Sequence, residues 1–154
     1  MMTPSTFFTR LIPIVAVLWT SACSELTLGT PSFSEVYSTL ESAGCADCHS
    51  PGASGFLAGA QIDLSTQAQA YFTLTTKTVT GTTSIGSCSG VSIVSAGAPE
   101  RSYLAAVLIP SFQTDDFADV SGCTPLNTHT EEQYLTSSQQ SKVEKWIAGG
   151  ANND

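Results

Sequence analysis

An all-α fold of about four helices is predicted by three observations. Apolar residues recur at helical spacing in four separate segments, capping and stop residues bracket those segments, and β-type patterning is confined to short stretches between them. The chain has 154 residues, the length of one domain, and that is enough to bury a core and one cofactor. An apolar content of 42 % is that of a globular protein and excludes disorder of the whole chain.

Residues 1–22 read as an export signal. Arg10 supplies a positive charge, Leu11 to Trp19 an apolar run, and Ser21 and Ala22 the small residues of a cleavage site. The run is too short to span a bilayer. Because Cys23 directly follows Thr20-Ser21-Ala22, the segment resembles the lipobox of bacterial lipoproteins, in which that cysteine is acylated and becomes the mature N-terminus. Thr20 stands where the pattern usually has leucine, so cleavage by the ordinary signal peptidase is the competing reading. The resemblance implies a periplasmic protein lipid-anchored to a membrane through Cys23. Ser24, rather than aspartate, after the cysteine points to the outer membrane. Residues 23–31, with Gly29 and Pro31, read as a tether.

The first helix is predicted over about 32–42, where Phe33, Val36, Tyr37 and Leu40 line one face and Gly44 follows as a stop. Residues 50–60, rich in Gly, Ala, Ser and Pro, suit a loop that wraps closely around a flat cofactor. Asp63 or Ser65 is expected to cap a second helix reaching about Thr73, with Ala68, Tyr71 and Phe72 facing inward. Residues 75–90 read as extended loop and 91–94 as a short strand. A third helix opens at Pro99-Glu100, presents Tyr103, Leu104, Val107 and Leu108 on one face, and stops at Pro110. Residues 111–134 lack a period and read as a long loop. The last helix spans about 138–148, with Thr136 and Gln139 spaced as a capping box, Val143, Trp146 and Ile147 on one face, and Gly149-Gly150 as the stop.

Thirteen acidic against five basic residues give a net charge of −8, which excludes nucleic acid as a partner. Such a surface can steer a basic partner protein, or simply keep the chain soluble.

Cys45-Ala46-Asp47-Cys48-His49 is the C-x-x-C-H pattern of covalent haem attachment. Two thiols at this spacing can add across the two vinyl groups at the porphyrin edge, and the adjacent imidazole then reaches the iron as proximal ligand. The same residues are compatible with a dithiol redox pair or with half a zinc site. A thioredoxin-like pair needs alternating strands and helices around it, and zinc would have to recruit Cys88, Cys123 or His129 at irregular spacings. Export also delivers the chain to the compartment where haem is attached. Assigning Cys23 to lipid and Cys45 and Cys48 to haem leaves Cys88 and Cys123 as one pair. A disulfide there persists in an oxidising compartment and would stabilise by about 3–4 kcal/mol in the chain-entropy model. The alternative is two buried thiols.

Around this motif lie further segments in order. They are the leading helix with Phe33, Val36, Tyr37 and Leu40; Ile62-Asp63-Leu64-Ser65 before a helix with Tyr71; Val94-Ser95-Ala96-Gly97-Ala98-Pro99-Glu100-Arg101-Ser102-Tyr103-Leu104; and Val143-Glu144-Lys145-Trp146-Ile147-Ala148-Gly149-Gly150-Ala151. With them residues 32–154 resemble a class I cytochrome c domain, of the small bacterial kind found in exported lipoproteins and at the ends of larger oxidoreductases. The third segment is similar to that group's V-x-P-G-x-P-x-x-S-Y-L, and the fourth to its terminal W-I-x-x-G-A. The resemblance implies one covalent haem c on Cys45, Cys48 and His49. It also implies crossed first and last helices, a crevice for the haem between them and the middle loops, and one-electron exchange with redox partner proteins.

One departure from the family bears on function. The usual distal ligand is a methionine in the loop before the last helix, whereas Met1 and Met2, the only methionines, lie in the signal segment. His129 lies in that loop and is the alternative sixth ligand. With His129 bound, the iron is closed and suited to electron transfer. With an open position, a peroxidase-like enzyme or a sensor of small ligands is the rival, and a lipoprotein module in which haem only organises the fold is a third reading.

Overall fold

Ser32 sets the first helix, α1 (Phe33–Ser42), through a reciprocal cap: its hydroxyl accepts from Glu35 N–H at 3.2 Å and Glu35 Oε2 accepts from Ser32 N–H at 3.0 Å. The computed structural model describes residues 29–57, 61–80, 88–112, 117 and 135–154. The signal segment, Cys23, most of the predicted long loop, Cys123 and His129 lie outside the described residues. Phe33, Val36, Thr39 and Leu40 are the buried face of α1 and Tyr37 is half-buried beside them. The helix closes at Ala43, and Gly44, at φ +74°, turns the chain into α2 (Cys45–Cys48). A further single turn, α3 (Ser54–Leu57), interrupts the predicted loop.

The second predicted helix forms as α4 (Gln67–Thr76) with two corrections. Thr66 is the cap, accepting from Gln69 N–H at 3.3 Å. Asp63 cannot serve, because its carboxylate is taken by the backbone and hydroxyl of Ser65, at 2.9 and 2.6 Å, in a turn before the helix. The inward face is Ala70, Thr73 and Leu74 with Tyr71 half-buried, while Ala68 and Phe72 face out, Phe72 at 57 % exposure.

Residues 91–94 form no strand. Among the described residues β pairing is limited to one antiparallel bridge, Thr78 with Ser92, flanked by hydrogen bonds from Val79 to Val91 (2.8 Å) and from Ile93 to Lys77 (3.1 Å). The pairing stops there because the carbonyls of Ser92 and Ile93 accept instead from Tyr103 and Leu104, the opening amides of α5 (Tyr103–Leu108), at 3.2 and 2.9 Å. The predicted third helix is accordingly split into a 3-10 turn, Pro99–Arg101, and α5. Ser102 makes the break: its backbone is extended, and its buried hydroxyl accepts from Ser95 N–H (2.9 Å) and donates to the Ala98 carbonyl (3.0 Å). All six residues of α5 are buried, so it runs through the core instead of presenting one face to it. A second 3-10 turn, Pro110–Phe112, follows.

Helix α6 (Ser137–Ala148) carries the expected Thr136/Gln139 capping box and buries Val143, Trp146 and Ile147. It packs on α1 through aromatic rings. Phe33 lies 5.1 Å from Trp146, tilted by 41°, and 5.1 Å from Tyr71, edge-on at 71°. Trp146 Nε1 donates to the Asn152 carbonyl at 3.0 Å, and the Tyr71 hydroxyl to the Ala151 carbonyl at 3.2 Å, so the residues after α6 are fastened to the same aromatic group. A Cβ at Gly149 would overlap the methyl of the exposed Thr30, which would have to turn aside.

The side chain of Asp154 accepts from Phe33 N–H at the start of α1. Partial desolvation raises its carboxyl, but hydrogen bonds from Phe33, Ser32 and Ser34 outweigh that and hold it below 3.8. A depressed folded-state pKa stabilises above the unfolded value and loses that contribution as pH falls through the folded one. An Asp154→Asn variant is therefore expected to melt below the wild type at pH 7, with the difference closing below about pH 4. A Tm difference that does not change with pH would refute it.

Candidate functional site

The motif occupies one helical turn. Cys45 and Cys48, three residues apart in α2, put both thiols on one side of it. His49 follows as the helix breaks, at φ −103° and ψ 50°, with its N–H donating to the Cys45 carbonyl at 2.9 Å. Both thiols are free; Cys45 is half-buried and Cys48 exposed. Burial pushes the Cys45 thiol up, so it is protonated at neutral pH. Iodoacetamide at pH 7.5 is accordingly expected to modify Cys48 well before Cys45 in haem-free protein, read by peptide mass spectrometry. Equal rates would contradict the burial of Cys45.

His49 is half-buried, and its Nδ1 is shielded from solvent. Its carbonyl accepts from Leu64 N–H at 2.6 Å, which ties the motif to the segment fifteen residues on. The Ser50 hydroxyl donates to the Ala46 carbonyl and closes the motif on its other side. Helix α3 lies directly against Cys48: a Cβ at Gly55 would sit 2.8 Å from the Cys48 carbonyl oxygen, so only glycine permits this approach. Tyr37, Ala43, Cys45, Ala46 and Ile62 pack on the core but stay partly exposed.

The electrostatic surroundings are acidic. Asp47 lies exposed between the two cysteines, and Glu41 is exposed on the last turn of α1. Burial, and then the charges of Glu41 and Asp63, raise the Tyr37 hydroxyl, which therefore stays protonated and able to donate.

Of the predicted site residues, the structure brings together Cys45, Cys48 and His49. Cys88 lies elsewhere in the core, fully buried and disulfide-bonded. Its proposed partner Cys123, the proposed distal ligand His129 and the proposed lipid site Cys23 fall outside the described residues. The buried disulfide removes Cys88 from any zinc site. Among the described residues no three His, Cys, Asp or Glu side chains converge on a common metal position, no strand forms, and no helix is long and apolar enough to cross a membrane. The Leu64 amide, the Tyr37 hydroxyl and Gly55 have no signature in the sequence pattern. Only Gly55 stands out at all, as one of the small residues of the loop.

The architecture defines an all-α protein with a dithiol and an imidazole presented by one short helix. The chain matches no family model, no curated protein and no solved structure.

Proposed function

We propose that this chain is a monohaem c-type cytochrome, exported, held at a membrane by lipid on Cys23, and engaged in one-electron transfer with partner proteins. The observation that carries the reading is the arrangement of α2. Two free thiols on one side of a single turn, with an imidazole on the next residue, are the donor set that covalent haem requires. The partly exposed apolar residues Tyr37, Ala43, Ala46 and Ile62, on the helices and segment that adjoin the motif, would suit a flat apolar group. The ring contact of Phe33 with Trp146, which packs the first helix on the last, agrees with the packing that a cytochrome c-like fold would have.

Bound haem would supply an iron that cycles between two oxidation states. The chain's own residues hold and tune it. Cys45 and Cys48 would each form a thioether, His49 would ligate the iron, and the acidic Glu41, Asp47 and Asp63 would favour a basic partner near the motif. With no methionine outside Met1 and Met2, His129 would be the candidate for the sixth position. The lack of methionine is also the observation behind the second reading, an open-site peroxidase-like enzyme or ligand sensor. A Cys88–Cys123 disulfide would hold the loop bearing His129 to the core.

An absorbance spectrum of the protein made in a haem c-maturing host, oxidised and reduced, with and without CO, tests this. A reduced spectrum of covalent haem that CO leaves unchanged is expected, as is CO binding by a His129→Ala variant. Immediate CO binding by the wild type would favour the open-site reading, and absence of covalent haem would refute both.

A further inference from the structure

Residues 61–65 form a strap between the motif and α4, and its backbone groups at Asp63 and Leu64 are held from three places, the motif, α1 and α4. The Leu64 N–H donates to the His49 carbonyl at 2.6 Å. The Leu64 carbonyl accepts from the Tyr37 hydroxyl of α1 at 3.3 Å. One residue earlier, Asp63 N–H donates to the hydroxyl of Thr73 in α4 at 3.3 Å, and that hydroxyl lies 3.1 Å from the Asp63 carbonyl and 2.9 Å from the Gln69 carbonyl. Thr73 is buried, as is the Leu64 side chain. Lys77 Nζ donates to the Gln61 carbonyl at 2.8 Å, and Gln61 takes the left-handed φ of +51° that lets the strap begin there.

A buried hydroxyl in an otherwise apolar helix face has a desolvation cost, and Thr73 offsets it only through this strap and its own helix. Tyr37 likewise aims its one polar atom inward at Leu64. These two hydroxyls therefore fix where Leu64 sits, and Leu64 fixes the backbone of His49. From this geometry we infer that Tyr37 and Thr73 are positioning residues for the His49 imidazole, acting through the strap at Leu64. The inference rests on the proposed haem role of His49 for its purpose, though the clamp itself belongs to the chain alone.

The test compares wild type with Tyr37→Phe and Thr73→Val, each of which keeps the side-chain shape and removes the hydroxyl hydrogen bonds. Thr73→Ser keeps the hydroxyl. On the purified full chain, NMR reads hydrogen exchange at the Leu64 amide and the resonances of the His49 ring, with the Val143 amide in α6 as a measure of global opening. Exchange at Leu64 is expected to speed up about 10-fold relative to Val143 in Tyr37→Phe and in Thr73→Val, the factor that corresponds to the loss of one hydrogen bond. The His49 ring resonances should move with it, Thr73→Ser should restore both, and in haem-loaded protein the reduction potential should shift in the same two variants. Leu64 exchange that rises no more than that of Val143, or His49 resonances that stay in place while it rises, would overturn the inference. Absence of covalent haem would refute the proposed function, while the Leu64 and His49 readouts, which need no cofactor, judge the clamp separately.

Discussion

Replacing Cys45 and Cys48 together by serine is expected to leave no haem on the polypeptide after acid-acetone extraction, whereas the wild type should retain it fully. The reason is chemical: thioether attachment needs a thiol at each vinyl group, and serine has neither the nucleophilicity nor the acidity to add there. Cys45→Ser and Cys48→Ser alone should each retain haem through one bond, with an absorbance band shifted by the unreacted vinyl group. The two positions differ in burial, so the half-buried Cys45 should be the more sensitive to change of size and polarity. Haem retained on the double variant would mean that the C-x-x-C-H segment is not the attachment site, and the proposed function would fall with it.

A Trp146→Ala variant is expected to lose about 3–5 kcal/mol of stability, the usual cost of emptying a buried aromatic site. Trp146 is 1 % exposed, lies tilted against Phe33 and anchors Asn152 through its indole N–H. Against a total of about 5–15 kcal/mol for a domain of this size, that loss removes much of the margin. Exposed Phe72 is the internal control: Phe72→Ala should change stability by less than about 1 kcal/mol, because little apolar surface is uncovered. Urea unfolding followed by circular dichroism measures both. A Trp146→Ala loss no greater than that of Phe72→Ala would show that the α1–α6 contact is not the centre of the core.

These two sites were legible in the sequence to different degrees. The cysteines and His49 carry their own chemistry at a fixed spacing, and the helical turn that presents them is short enough to be set locally. Trp146 could be placed on the buried side of its helix from the positions of Val143 and Ile147, but nothing in the pattern named Phe33 as its neighbour. In α4 Phe72 faces out while Ala70, Thr73 and Leu74 face in, a choice that a ten-residue helix with weak apolar contrast does not reveal by itself.

What the amino-acid sequence by itself determined is the all-α class, the capping box at Thr136, the glycine stop after α1 and the spacing of residues 45–49. Each depends on interactions between residues at most four positions apart, which a one-dimensional pattern records. The tertiary structure alone decided the breaking of the third helix at Ser102, the abandonment of the strand at 91–94, and the clamp from Tyr37 and Thr73 through Leu64 to His49. Those outcomes turn on which distant group takes a given carbonyl or amide. A buried backbone group must find a partner wherever the packed chain supplies one, and that choice is made only once the elements have come together.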